Sequence, residues 1–333
     1  MPVDDFFEDG WMVDGVPLQT YAYNITTIGG SRMAPPPLRG TNVNVPFRPG
    51  STWQPRIPDS RTITLAMWVI GANKDGSVPE DRDLKFKFKQ NWRELTKLLW
   101  RPKRELVLTK KVWIPETELV AANAPFVMYP EYQGYRQLTV SAKATFSGGL
   151  EPSMTGNARA TFMVDLLLSD PYFYGDPVTH KFDVAKTVVG EKTTTTGRFA
   201  KNLHILGDDA TSKIMVEFHS DSGMLEPLLS WNDPNPTGAV LAYDPNPFLG
   251  VHGFFGPLAE NEDDTMTRPT VHIDIDRFTA YYPPENGSTY ISGAVHTSGN
   301  RFWMELDPAG MLMTFSVGGG AGTASITYRP AWL

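Results

Sequence analysis

The chain has no cysteine among its 333 residues. That excludes disulfide staples, thiolate-bound zinc and a thiol nucleophile. No stretch approaches the roughly eighteen apolar residues that a membrane span requires. The opening MPVDDFFEDGW is acidic and lacks the charged-then-apolar pattern of a secretory signal. These absences lead to the expectation of a soluble protein, made in a cytoplasm and without an anchor of its own. Catalytic signatures are missing too: there is no G-x-S-x-G elbow, no H-E-x-x-H and no P-loop. Residues 318–322, GGGAG, are not followed by the lysine and helix of a phosphate cradle, and read as a tight turn. Six histidines and many carboxylates show no spacing that singles out a glycosidase pair. The expectation is a protein that is not an enzyme and holds no cofactor.

The chain does contain one stretch of helical period. In residues 82–101, RDLKFKFKQNWRELTKLLWR, Leu84, Phe88, Trp92, Leu95 and Leu99 recur every three or four positions. Asp81 and Asp83 suit a helix start, and Pro102 stops it. This stretch is also basic. From Lys85 to Lys111 there are ten Lys or Arg against two Glu, within a chain of net charge -7.

Elsewhere the pattern is β. With 29 Gly and 28 Pro, the composition favours short strands joined by many turns. Residues 11–30 read as an opening hairpin across Asp14-Gly15. Residues 30–58 form a loop dense in Pro, Gly and Asn, too long for an ordinary connection. Strands are expected at 61–70, 105–114, 136–146 and 158–168. Residues 115–133 read as a second long connection carrying the aromatics Phe126, Tyr129 and Tyr132, with Tyr135 just beyond. The segment Asp170-Pro171-Tyr172-Phe173-Tyr174-Gly175 is the best domain boundary, because Asp-Pro ends a strand and the aromatics can pin a junction. Beyond it, strands at 179–184, 198–206, 213–219, 239–243, 271–276, 301–306, 311–317 and 323–328 give the pattern of a β-sandwich.

Four segments together resemble the distal tail proteins of long-tailed phages, in the form typical of phages that infect actinobacteria. They are the opening Trp11-x-Val13-Asp14-Gly15-Val16; the arm Pro35–Gly40 with Asn42, Val45-Pro46, Arg48 and Gly50; the helix with its strand hairpin and the DPYFYG junction; and the end Thr327-Tyr328-Arg329-Pro330-Ala331-Trp332-Leu333. The resemblance implies a mainly β fold in two domains. Residues 1–175 would be a tail-tube-like sandwich or split barrel with one flanking helix, and residues 176–333 a galectin-like sandwich. It further implies a homohexameric ring that joins the tail tube protein to the tail-tip hub, in company with the tape measure protein. DNA would pass through the lumen without specific binding. The sugar-binding strings of galectins are not matched: the nearest are His219-Ser220-Asp221 and Trp303-Met304-Glu305, at the wrong spacing. A host-surface carbohydrate-binding adhesin is therefore the alternative reading.

Candidate interface residues follow from the arm and the helix: Arg32, Pro35, Arg39, Asn42, Pro46 and Arg48 in the first, and Lys85, Lys89, Trp92, Arg93 and Lys97 in the second. The prolines pre-set an extended arm and lower the entropy cost of docking. The basic row is open to three readings: an acidic neighbour, plain solvation, or nucleic acid. In a DNA conduit a dense basic ring would hold the genome back, so an acidic neighbour is favoured and an acidic lumen wall is expected. His272, Asp274 and Asp276 alternate on one strand face near Glu260, Glu262, Asp263 and Asp264, an arrangement a Ca²⁺ site could use. A solvated strand face is the commoner outcome, and no metal is expected.

Overall fold

In the computed structural model of the chain, the described residues are 10–26, 34–40, 43–44, 51–52, 57–124, 134–156, 158–184, 188–189, 192–193, 197–220, 228–232, 253–257, 270–277, 279–282, 289–290, 295–297, 305–308, 310–317 and 322–333. The fold is mainly β. Two compact units emerge. The first is Met1–Trp113, Gln137–Gly175 and Trp332–Leu333; the second is Ile114–Arg136 and Asp176–Ala331.

The first unit is a curled antiparallel sheet. Its strands lie in the order Val16–Pro17, Met12–Val13, Leu106–Pro115, Tyr135–Gly149, Arg159–Leu168, Arg61–Ile70 and Tyr23–Ile25. Arg61–Ile70 is rich in β-branched residues and pairs along its whole length with Arg159–Leu168. The curl originates in Tyr135–Gly149, which changes partner part-way. Ser141 faces Tyr174, while Thr145 to Gly149 face Leu167 to Val164 across a bulge between Phe146 and Gly148. The sequence pattern ends this strand at Phe146, because Ser147-Gly148-Gly149 reads as a turn. The strand runs on because Gly149 occupies a left-handed position (φ 86°) where a Cβ would come within 2.3 Å of the Met163 carbonyl oxygen.

The basic stretch forms α1 (Asp81–Leu99). Its apolar stripe packs inward as the period predicts: Phe88, Leu95 and Leu99 are buried, and Trp92 sets its ring edge-on against Phe162 at 5.0 Å. A polar residue shares this face. Asn91 is buried, and its Nδ2 donates to the carbonyls of Ile70 and Ala72, both at 2.8 Å. Between those two carbonyls sits Gly71, against the helix backbone: a Cβ there would lie 2.2 Å from the Leu84 carbonyl oxygen. Arg61–Ile70 thus ends in a seat shaped for the first half of α1.

A second helix, α2 (Glu116–Ala121), lies where the sequence reads as a connection. Six residues are too few to show a period. Pro115 precedes it, Glu116 and Glu118 stand in its first turn, and Leu119 is buried.

The second unit is built on two sheets. One has the order Val178–Val184, Gly322–Tyr328, Ile214–Ser220, Thr270–Asp274, Thr279–Tyr282 and Thr289–Tyr290; the other has the order Gly197–Leu203, Met311–Val317, Leu228–Asn232, Gly253–Pro257 and Val295–Thr297. Ile214, Val216 and Phe218 alternate inward from the first sheet, and Leu229, Met313 and Phe315 are buried in the second. The rings of Phe218 and Phe315 meet at 5.9 Å and join the two faces. Several short strands escape the sequence reading, among them Gly253–Pro257, which lies between the expected strands. The strand expected at 239–243 lies outside the described residues, as does all but the end of the one at 301–306.

Tyr328 closes the core of the second unit. It is fully buried, its hydroxyl accepts the Leu206 N–H at 3.1 Å, and its ring stacks on His180. Burial pushes the phenol up to about 12, with the Leu206 hydrogen bond pulling the other way. The raised folded value means that the folded chain holds this proton more tightly than the unfolded one. The stabilisation is complete below pH ~10 and is lost as pH rises towards 12. Tyr328→Phe should cost about 1–3 kcal/mol at neutral pH by orphaning the Leu206 N–H. It should also flatten the fall of stability between pH ~10 and 12. Urea unfolding of both proteins across that range checks it, and equal alkaline slopes would refute the assignment.

Candidate functional site

Three of the four segments that the sequence singles out meet in space. Phe173 of the junction is fully buried in the first unit, with Trp11 of the opening edge-on at 5.9 Å. Two cations flank the same ring: the Lys110 ammonium lies 4.6 Å and the Arg61 guanidinium 5.6 Å from its centroid. Lys110 also donates to the Leu333 carbonyl, which brings the end of the sequence to this point. Arg61 donates to the Ala34 carbonyl at 2.9 Å and so fixes the root of the arm. Only 4% of Arg61 is exposed, and its Nε and Nη2 have no hydrogen-bond partner among the described residues. Burial accordingly lowers its pKa, partly offset by the nearby Tyr172. Spacing along the chain gives no hint of this convergence.

Past that root the described part of the arm consists of two short strand pairs. Leu38–Arg39 pairs with Ile57–Pro58, and Val43–Asn44 pairs with Ser51–Thr52. Leu38 and Ile57 are 57% and 59% exposed, and Pro35 and Arg39 are exposed as well. Arg32, Asn42, Pro46 and Arg48 lie outside the described residues. A lone strand pair is marginal in water, and one that presents apolar side chains is suited to lie against another surface.

On α1, Lys85, Lys89, Arg93 and Lys97 are all exposed, whereas Trp92 belongs to the inward side. Phe86, next to Lys85 and 72% exposed, and Trp100, beyond Lys97 and 58% exposed, stand near the two ends of the row. Of the aromatics expected on the second connection, Tyr135 is exposed and the others lie outside the described residues.

Of the possible metal ligands, Glu260, Glu262, Asp263 and Asp264 lie outside the described residues, and the other three have partners. His272 pairs with Glu217 directly across the strands at 2.9 Å, Asp274 accepts the Arg277 N–H, and Asp276 pairs with Lys213 at 2.6 Å. The strand ends at Asp274, so Asp276 belongs to the following turn and not to the shared strand face read from the sequence. His219 meets the Thr270 hydroxyl at 2.9 Å, while Trp303 and Met304 of the nearest sugar-site string lie outside the described residues. No group of three or more potential ligand side chains gathers among the described residues. Nor is any described helix long and apolar enough to cross a membrane.

No family model matches the chain, and no curated protein does. Among solved structures, the crystal structure of the Dit protein of phage SPP1, described as a paradigm of the hub adsorption apparatus in phages that infect Gram-positive bacteria, matches with a TM-score of 0.53. That match is at 11% identity and covers 96% of this chain and 98% of that one. The phage P2 baseplate in its activated conformation with Ca matches at a TM-score of 0.38 and 8% identity, over 94% of this chain and 92% of that chain. The likeness to SPP1 Dit is one of fold, and it extends across both units. It agrees with the fold expected from the resemblance in the sequence.

Proposed function

We propose that this chain is a structural protein of a phage tail tip, working by self-assembly. Six copies close a head-to-tail ring that joins the tail tube to the tip hub and forms part of the DNA channel. The first unit corresponds to the tail-tube-like, ring-forming domain. The second corresponds to the galectin-like domain and serves as a platform for other tip proteins. The tape measure protein is a further neighbour. DNA passes the lumen without specific binding, and the reading assigns no catalysis to the chain. The observation that carries the proposal is the fold likeness to SPP1 Dit over almost the full length of both chains. The exposed strand pair with Leu38 and Ile57 supports it, because a permanent contact would cover these side chains.

Light scattering after size exclusion, with imaging of any large species, tests the reading. The expected result is a particle of six times the 37.0 kDa chain mass, ring-shaped with an axial hole. A protein that stays monomeric at high concentration, and does not add to isolated tail tubes, would overturn it.

A further inference from the structure

The cations of α1 form an unusual row. Lys85, Lys89, Arg93 and Lys97 follow one another every four residues, about 6 Å per step and about 18 Å in all. Each step places like charges at i and i+4, the spacing at which they repel and disfavour the helix. The acid that follows on this helix, Glu94, turns away to pair with Lys74 at 3.1 Å. None of the four has an ion-pair or hydrogen-bond partner among the described residues. Phe86 and Trp100, both largely exposed, stand near the two ends of the row. A solvated helix face needs neither feature. Interleaved Glu would remove the repulsion, and polar residues would replace the rings.

The chemistry that satisfies this face is a row of carboxylates beside apolar surface. The chain itself carries it. From Lys85 to Lys111 the net charge is +8, which leaves -15 on the other 306 residues. Residues 176–333 hold 19 Asp or Glu against 10 Lys or Arg. Four of those acids, Asp208, Asp209, Glu305 and Asp307, lie on two loops bound together through Thr211 and Leu306. We infer that the exposed face of α1 docks on the acidic second unit of another copy of this chain, an inference that rests on the ring reading above. A head-to-tail contact allows it, since unlike surfaces meet in such a contact. Duplex DNA fits less well. Its backbone offers phosphates but no apolar surface for Phe86 and Trp100, and the chain as a whole repels a polyanion.

Zero-length carbodiimide coupling joins an amine to a carboxylate only where they touch, so it reads the contact directly. Isotopically heavy and light copies are mixed, cross-linked at low salt and mapped by peptide mass. The expected products join Lys89 or Lys97 of one isotope to a 176–333 peptide of the other. In parallel, Lys89→Glu with Arg93→Glu should weaken self-association at least about tenfold, and added salt should weaken the wild type. Phe86→Ala, a neutral change on the same face, should weaken it as well. Cross-links confined to one copy would overturn the inference, as would a charge-reversed protein that assembles like the wild type. Duplex DNA that binds the wild type but not the double variant would reassign the face to nucleic acid. Rings formed normally by the double variant would sink this inference and leave the ring standing. A wild type that forms no rings or other oligomers, either alone or on isolated tail tubes, would remove both.

Discussion

Phe173→Ala is expected to destabilise the first unit by about 3–5 kcal/mol, the usual cost of removing a large ring from a filled core. Phe173 is fully buried, with Trp11 against its edge and two cations within 6 Å of its centroid. Truncation leaves a cavity and takes the electron-rich face away from Arg61, whose guanidinium is already short of partners. Arg61 holds the arm root through Ala34, so the arm should loosen together with the core. Chemical denaturation followed by tryptophan fluorescence, which Trp11 reports at close range, measures the loss. Two units need not unfold as one, so the earlier transition is the one to compare. Phe173→Leu should recover part of the packing but not the cation contacts. A loss below ~1 kcal/mol for the alanine variant would show that the junction is not the anchor described here.

The second large effect concerns the seat of α1. Asn91→Leu keeps the branched shape of the side chain but removes two hydrogen bonds at once, leaving the Ile70 and Ala72 carbonyls unpaired beneath the helix. At about 1–3 kcal/mol for each buried group left without a partner, the expected loss is roughly 2–4 kcal/mol, since one of the two is only part-buried. Gly71→Ala attacks the same joint sterically. Its Cβ would meet the Leu84 backbone oxygen, which has no rotamer to escape by, so the helix itself must shift. Overpacking of this kind costs about 1–3 kcal/mol. The two substitutions share one joint, and the double variant should lose less than the sum of the single losses. Thermal unfolding by far-ultraviolet circular dichroism checks both. Wild-type stability in Asn91→Leu would mean that the two carbonyls find water, and that the amide is dispensable.

The sequence by itself determined the elements whose pattern is local. Leu84, Phe88, Leu95 and Leu99 announce α1, and short apolar-rich runs between turn residues announce Arg61–Ile70, Arg159–Leu168 and Met311–Val317 within a residue or so. A pattern of either kind is written into consecutive side chains and survives without knowledge of the partner surface. What pairs across long stretches of chain was decided only by the tertiary structure. Asn91 breaks the apolar stripe, and its use is visible only when Ile70 and Ala72 lie beneath it. The strand Tyr135–Gly149 passes through Ser147-Gly148-Gly149 because Met163 occupies the space a side chain would take. Gly253–Pro257 is held as a strand by its neighbours Leu229–Trp231 and Val295–Thr297. The basic row on α1 could be counted in the sequence. That its charges lack partners among the described residues could not, because ion pairing depends on distance through space. Trp11, Arg61, Lys110 and Phe173 are scattered over more than 160 positions, and they form one cluster because the curled sheet brings four separate segments to the same place.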